Sequence, residues 1–129
     1  MINRVKIYKL KEIKSSAGSI VKYIDNKKPF FKGFGEVYFN EIKKGYTKGW
    51  NLHKECKSLI YVSHGTVKFT IMNRSKKEKK VFKISRSNPS ILCIPPKLWF
   101  KFESMTNFSI IVNFINQVHS KNEVEKHPL

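Results

Sequence analysis

The residue in this chain best suited to acid–base chemistry is His53, within the segment Lys48-Gly49-Trp50-Asn51-Leu52-His53-Lys54. Histidine gains and loses a proton near neutral pH, so one imidazole held in a pocket can act as a general base. An apolar run closed by a His-Gly turn, Leu59–Gly65, follows this segment, and Ile91–Phe100 contains a Pro-Pro pair. A polar-lined hairpin and a later strand that ends in Pro-Pro are typical of a small β-barrel with a pocket. We therefore expect His53 to lie inside a barrel.

Apolar and polar side chains alternate with a period of two along most of the chain, which indicates strands and not helices. Turn-forming residues such as Asp25–Pro29 and Lys43–Gly45 separate these runs. Strands are predicted at 5–10, 18–24, 35–42, 47–54, 58–63, 66–72, 80–85, 90–94, 99–103 and 108–114. About ten short strands without a convincing helix predict an all-β antiparallel sandwich or barrel.

The length of 129 residues leaves room for one domain with one core. We expect a single domain over residues 1–129, with a short polar tail from about residue 118. No apolar run approaches the roughly 20 residues of a membrane span, and the N-terminus lacks an apolar secretory signal. Cys56 and Cys93 are too few and too far apart for a disulfide framework. These features favour a cytoplasmic protein with reduced thiols.

The net charge of +17 does not by itself predict a nucleic-acid partner. Only Arg4, Arg74 and Arg86 are arginine, the residue that binds guanine and phosphate in a bidentate manner. The lysines are spread along the whole chain, and their one dense block, Lys76–Lys80, falls where a hairpin loop is predicted. We expect no nucleic-acid binding, whereas a few of these charges suffice to attract a nucleotide diphosphate.

Four segments together resemble the small cupins related to dTDP-4-dehydrorhamnose 3,5-epimerase. The segment Phe34–Phe39 resembles the first pocket strand of that group, and Lys48–Lys54 resembles its Lys-Gly-Trp-His-x-His-Lys motif. Pro95–Phe102 is similar to Pro-Pro-Gly-x-Trp-Phe-Gly-Phe, and His119–Glu125 is similar to His-x-Pro-Asn-Glu-Val-Glu. The sugar-nucleotide 3,4-ketoisomerases carry a motif like Lys48–Lys54 at the same place. The resemblance implies a single cupin-type (RmlC-like) antiparallel β-barrel, or jelly roll.

The resemblance also implies a reaction and a partner. Such enzymes act on nucleotide-linked 4-keto sugars in surface-polysaccharide biosynthesis, by removing a proton next to the ketone. Epimerisation at C3 or C5 and 3,4-ketoisomerisation both remain open. The implied partner is a nucleotide-diphosphate sugar, no cofactor is expected, and the chain is expected to form a homodimer through its N-terminal strands.

Individual residues receive roles from this resemblance. His53 is the expected base and Tyr38 the expected proton donor, although a core role for Tyr38 and Tyr61 stays open. The substrate-binding candidates are Lys48, Asn51, Lys54, Tyr61, Trp99 and His119. In a regular strand, Lys48 and Lys54 lie on the face opposite to that of His53. Both lysines can therefore reach the same pocket only through a bulge at Gly49 or around a strand end.

The chain departs from the family pattern at Asn51, which occupies the position of the epimerases' catalytic histidine. An amide cannot accept a proton near neutral pH, so a cupin that only binds a sugar nucleotide is the alternative to an isomerase. The four ligand positions of a metal-binding cupin read Asn51, His53, Ser58 and Phe100 here. One candidate ligand in four predicts no catalytic metal.

Overall fold

A computed structural model describes residues 2–118 and 120–128, and the chain there is built almost entirely of β-strands. A short 3₁₀ helix at Ile2–Arg4 comes first. The strands are β1 (Lys6–Lys9), β2 (Lys11–Ser15), β3 (Gly18–Lys22), β4 (Glu36–Lys43), β5 (Thr47–His53), β6 (Ser58–His64), β7 (Thr66–Met72), β8 (Lys79–Ser85), β9 (Ser90–Ile94), β10 (Trp99–Ser104), β11 (Phe108–Ile115) and β12 (Val124–Lys126). The all-β prediction is confirmed.

Two five-stranded sheets form the two walls of the molecule. One has the strand order β1-β9-β6-β11-β4, and the other has the order β12-β5-β10-β7-β8. All pairings are antiparallel, and β2 and β3 form a separate hairpin. The predicted strands from β4 to β11 match the observed ones within a residue or two at each end. Strands β2 and β12 were not predicted, because their sequences are short and mostly polar.

Alternation along the strands places one set of apolar side chains between the sheets and another set outside them. The inner cluster includes the fully buried Phe69, Ile71, Val67 and Leu92, together with Phe100 and Phe102. The outer face of the first sheet is covered by residues from the N-terminal region, including Leu10 and Phe30. The space between the sheets is therefore filled largely by apolar side chains.

No helix within residues 2–118 and 120–128 is long and apolar enough to cross a membrane.

Candidate active site

A cavity of about 70 Å³ lies between the two sheets, and side chains from both sheets line it. Tyr38 on β4, Asn113 on β11 and Ile60 on β6 are directly opposed across three neighbouring strands. Facing them from the second sheet are Asn51 and His53 on β5, with Phe100 on β10. We call this space the inner cavity. Among residues 2–118 and 120–128, its lining is Tyr38, Asn40, Asn51, His53, Ile60, Phe100, Phe102, Ile111, Asn113, Val124 and Lys126.

His53 is held in a fixed orientation at the wall of the inner cavity. The side chain is 5% exposed, and its ring stacks on Phe100 with a centroid separation of 5.8 Å and an interplanar angle of 14°. Its Nδ1 lies 2.7 Å from Oε2 of Glu123, a residue that is also buried. A carboxylate on Nδ1 keeps the proton on that nitrogen, so that Nε2 is the basic atom. This is the arrangement that a general base requires.

Glu123 is itself fixed by backbone donors. Its Oε1 accepts hydrogen bonds from the backbone N–H of Cys56 at 2.8 Å and of Glu55 at 3.1 Å. Burial alone would raise the pKa of Glu123, but the hydrogen bonds from Cys56, His53 and Glu55 together hold that pKa below its ordinary value. Glu123 is therefore a carboxylate at neutral pH and orients the imidazole.

Tyr38 and Asn113 form a second polar pair in the inner cavity. Asn113 Nδ2 donates to the Tyr38 hydroxyl oxygen at 2.8 Å. Burial raises the pKa of Tyr38, and the hydrogen bond from Asn113 offsets only part of this effect. The phenol therefore keeps its proton near neutral pH and is available as a hydrogen-bond donor.

A bulge in β5 brings Lys48 to the same side of the sheet as His53. Asn51 is opposite Phe100 and Lys48 is opposite Phe102, so Gly49 and Trp50 together face one residue of β10. Such an extra residue reverses the alternation beyond it. The Lys48 ammonium donates to Asn40 Oδ1 at 2.6 Å and to the carbonyl of Glu41 at 2.8 Å.

A wider depression adjoins the inner cavity, and we call it the outer depression. Its volume is about 600 Å³, and it is lined by Asn40, Lys48, Gly49, Trp50, Asn51, Phe102, Lys126, His127 and Pro128. Four of these residues also line the inner cavity, so the two spaces are neighbours. The Lys101 ammonium lies 4.9 Å from the centroid of the Trp50 ring. The outer depression thus combines lysines with an aromatic ring.

The structure brings His53, Tyr38 and Asn51 together in the inner cavity and places Lys48 at the adjacent outer depression. Tyr61 packs against Tyr23 on the outer face of the first sheet, and Trp99 packs with Trp50, Leu52 and Met72 outside the second. Both rings therefore face away from the inner cavity, because strand alternation directs them outward. Lys54 is exposed just beyond the end of β5. His119 lies outside the described residues.

Sequence reasoning did not select Glu123 or Asn113 for the site. Glu123 lies 70 positions from His53, and only the pairing of Val124 with His53 in β12–β5 brings it near. Asn113 did leave a signal, since it is an amide within the otherwise apolar run Ile110–Ile115. A buried amide in an apolar strand requires hydrogen-bond partners and so indicates a specific contact.

His53, Cys56 and Glu123 are the one group of three potential metal ligands found within residues 2–118 and 120–128, with ligand atoms within 4.8 Å of one another. Both Glu123 oxygens already accept hydrogen bonds. Burial and the neighbouring Glu123 charge raise the pKa of the Cys56 thiol to about 12. A thiol must lose its proton to bind a metal, so this group fits a hydrogen-bonded acid–base pair better than a metal centre.

The family described as "FdtA: WxcM-like, C-terminal" matches residues 3–126. The chain belongs to this family. No curated protein sequence matches the chain with significance. Together with the strand topology, this match confirms the resemblance drawn from the four motifs.

Solved structures share the fold over nearly the whole chain. A dTDP sugar isomerase from Desulfovibrio desulfuricans G20 superposes with a TM-score of 0.91 at 23% identity, covering 97% of this chain and 84% of that one. A variant of the 3,4-ketoisomerase QdtA from Thermoanaerobacterium thermosaccharolyticum, in complex with TDP-4-keto-6-deoxyglucose, gives 0.84 at 22% identity, covering 98% and 90%. The dTDP-4-dehydrorhamnose 3,5-epimerase from Bacillus anthracis gives 0.85 at 15% identity, covering 95% and 78%. The fold is the cupin-type jelly roll of RmlC-like proteins.

Proposed function

We propose that this protein isomerises a nucleotide-linked 4-keto-6-deoxy sugar, as a 3,4-ketoisomerase. The observation that carries the proposal is the His53–Glu123 pair, which makes one imidazole a base at the wall of a cavity. Tyr38 supplies a neutral hydroxyl in the same cavity. A base and a hydrogen-bond donor in one enclosed space are what proton abstraction next to a ketone requires.

The reaction moves two protons within the sugar and leaves its formula unchanged. His53 Nε2 takes the proton from C3, the C3–C4 bond becomes double, and O4 takes a proton from the Tyr38 hydroxyl. The resulting enediol collapses in the opposite sense. His53 returns the carbon proton to C4, O3 gives its proton to Tyr38, and the ketone is then at C3. General acid–base help of this kind contributes about 10²–10⁴-fold in rate.

A ketoisomerase is favoured over an epimerase by the number of imidazoles that line the inner cavity. Asn51 occupies the place of a second imidazole, so His53 is the one imidazole that lines the cavity among residues 2–118 and 120–128. One base can carry a proton between adjacent carbons on a single face, whereas epimerisation needs groups on both faces. The chain also covers 90% of the QdtA ketoisomerase chain but 78% of the epimerase chain from Bacillus anthracis.

The nucleotide part of the substrate is assigned to the outer depression. Lys48 and Lys126 supply positive charge there. Charge-assisted contacts to the diphosphate use these groups. The inner cavity of about 70 Å³ then receives only the reacting edge of the sugar. A nucleotide-linked 3-keto sugar of this kind is used in the synthesis of surface polysaccharides in the cytoplasm. In this proposal the protein acts as a homodimer.

The experiment is incubation with TDP-4-keto-6-deoxyglucose in D₂O, followed by NMR. The wild-type protein is expected to form the 3-keto sugar with deuterium at C4. His53→Asn is expected to lower the exchange rate by about 10²–10⁴-fold, because the base is lost. TDP affinity should change little, since His53 lies in the inner cavity.

His64→Asn is the matched control, because His64 is an exposed histidine at the end of β6. It should exchange deuterium as fast as the wild type. Deuterium at C5 with inverted configuration would assign an epimerase. Binding of the sugar nucleotide without any exchange in the wild type would support the binding-only alternative, in which Asn51 marks a lost activity.

A further inference from the structure

Asn113 carries a buried oxygen whose role the proposed reaction leaves unexplained. The residue is 3% exposed and lines the inner cavity. Its Nδ2 donates a hydrogen bond to the Tyr38 hydroxyl oxygen, whereas its Oδ1 has no hydrogen-bond partner within residues 2–118 and 120–128. Buried polar atoms are rarely left unpaired, because the lost hydrogen bond to water costs free energy. An unpaired acceptor at the wall of a cavity indicates a donor group on a ligand.

The contact between Asn113 and Tyr38 determines what the pair offers to that ligand. Because the amide donates to the Tyr38 oxygen, the single phenolic proton of Tyr38 is directed to another acceptor. The pair therefore presents one donor, the Tyr38 O–H, beside one acceptor, Asn113 Oδ1. A ligand that satisfies both must carry an acceptor oxygen and a hydroxyl on neighbouring atoms.

We propose that Asn113 Oδ1 accepts a hydrogen bond from the hydroxyl on C3 of the sugar while Tyr38 donates to the ketone oxygen on C4. This inference rests on the proposed function and names the two substrate groups that the site recognises, the C3 hydroxyl and the C4 ketone. In a 4-keto-6-deoxy sugar, C5 bears the ring oxygen and a methyl carbon and has no hydroxyl. The hydroxyl adjacent to the ketone can therefore only be the one on C3.

Asn113 is thus a specificity-determining residue that favours sugars with a C3 hydroxyl. A site that hydrogen-bonds a substrate hydroxyl rejects the analogue without it, because the buried acceptor then stays unpaired. The same contact turns the C3–C4 edge of the sugar into the inner cavity, where His53 lies on the opposite wall.

The test compares two ligands, TDP-4-keto-6-deoxyglucose and its 3-deoxy analogue, by calorimetry in the His53→Asn background so that neither is converted. We expect the 3-hydroxy ligand to bind about 10- to 100-fold more tightly than the 3-deoxy ligand, which is the usual effect of leaving one buried acceptor unpaired. Adding Asn113→Leu should reduce this ratio to about one. The affinity for TDP alone should stay unchanged, which shows that the variant is folded.

Each other outcome overturns the inference in a recognisable way. If the two ligands bind equally tightly when Asn113 is intact, the protein does not recognise the C3 hydroxyl. This measurement does not depend on whether the Asn113→Leu variant folds. A ratio that survives Asn113→Leu assigns the hydroxyl to another residue. If the wild type exchanges deuterium but one of these two affinity ratios is found, only the inference about Asn113 fails. If TDP and both sugars fail to bind at all, the proposed function fails with it.

Discussion

Glu123 determines which nitrogen of His53 carries a proton, and this gives a prediction for Glu123→Gln. The Glu123 carboxylate accepts a hydrogen bond from Nδ1, whereas a glutamine amide can donate one to it. The imidazole proton then lies on Nε2, and the base is lost. Deuterium exchange is expected to fall by about 10²–10⁴-fold while TDP affinity stays close to that of the wild type.

Glu125→Gln is the matched control for that measurement. Glu125 lies two positions along the same strand, but it pairs with Arg74 at 3.0 Å on the surface. Exchange in this variant should equal the wild-type rate. Full activity in Glu123→Gln would mean that the orientation of His53 does not depend on the carboxylate.

The residues of the candidate site were only partly predictable from the sequence. His53 and Asn51 could be placed together because a period of two fixes which side chains share a face of one strand. Tyr38 was placed with them because Phe34–Phe39 resembles a pocket strand of the family. Glu123 could not, since its contact with His53 depends on the distant β12 pairing, and a strand of three residues carries no periodic signal. Tyr61 and Trp99 show the converse limit, because an aromatic side chain suits either face of a sheet.

At the scale of elements, the β5 bulge lies between the inner cavity and the outer depression. Gly49 has φ of +121°, and a Cβ built there would lie 2.7 Å from the Phe100 carbonyl oxygen and 2.8 Å from Lys101 Cα. Glycine is required at this position for both reasons. The sequence indicated that a bulge at Gly49 would let Lys48 share a face with His53, but only the observed register establishes its presence.

Gly49→Ala should therefore destabilise the protein and weaken nucleotide binding. Gly45→Ala is the matched control, since Gly45 also has a positive φ of +92° but a Cβ there meets nothing within 4 Å. Both variants bear the backbone strain, and only Gly49→Ala adds the steric conflict. We expect Gly49→Ala to lose about 1–3 kcal/mol more unfolding free energy than Gly45→Ala in urea titrations. Equal losses would show that β10 moves aside at little cost.

At the scale of the whole molecule, one edge of the first sheet carries apolar side chains that the described chain does not cover. Phe39 is 70% exposed on the edge strand β4, and Phe34 is 67% exposed nearby. The β2–β3 hairpin carries a second exposed set, the directly opposed pair Ile13 and Ile20. An uncovered apolar edge strand favours association, and a two-fold dimer can pair each hairpin with the β4 edge of the other copy.

We therefore expect a homodimer, with a mass of about twice the 15.2 kDa of the chain by light scattering at micromolar concentration. Phe39→Lys and Ile20→Lys should each shift the mass toward the monomer, because both place a charge in the buried contact. Val81→Lys is the control, since Val81 is 54% exposed on β8 at an edge of the other sheet. Since each copy carries a net charge of +17, added salt should strengthen the dimer by screening repulsion. A monomeric wild type at all salt concentrations contradicts the prediction, and a dimer that resists both substitutions moves the interface to another surface.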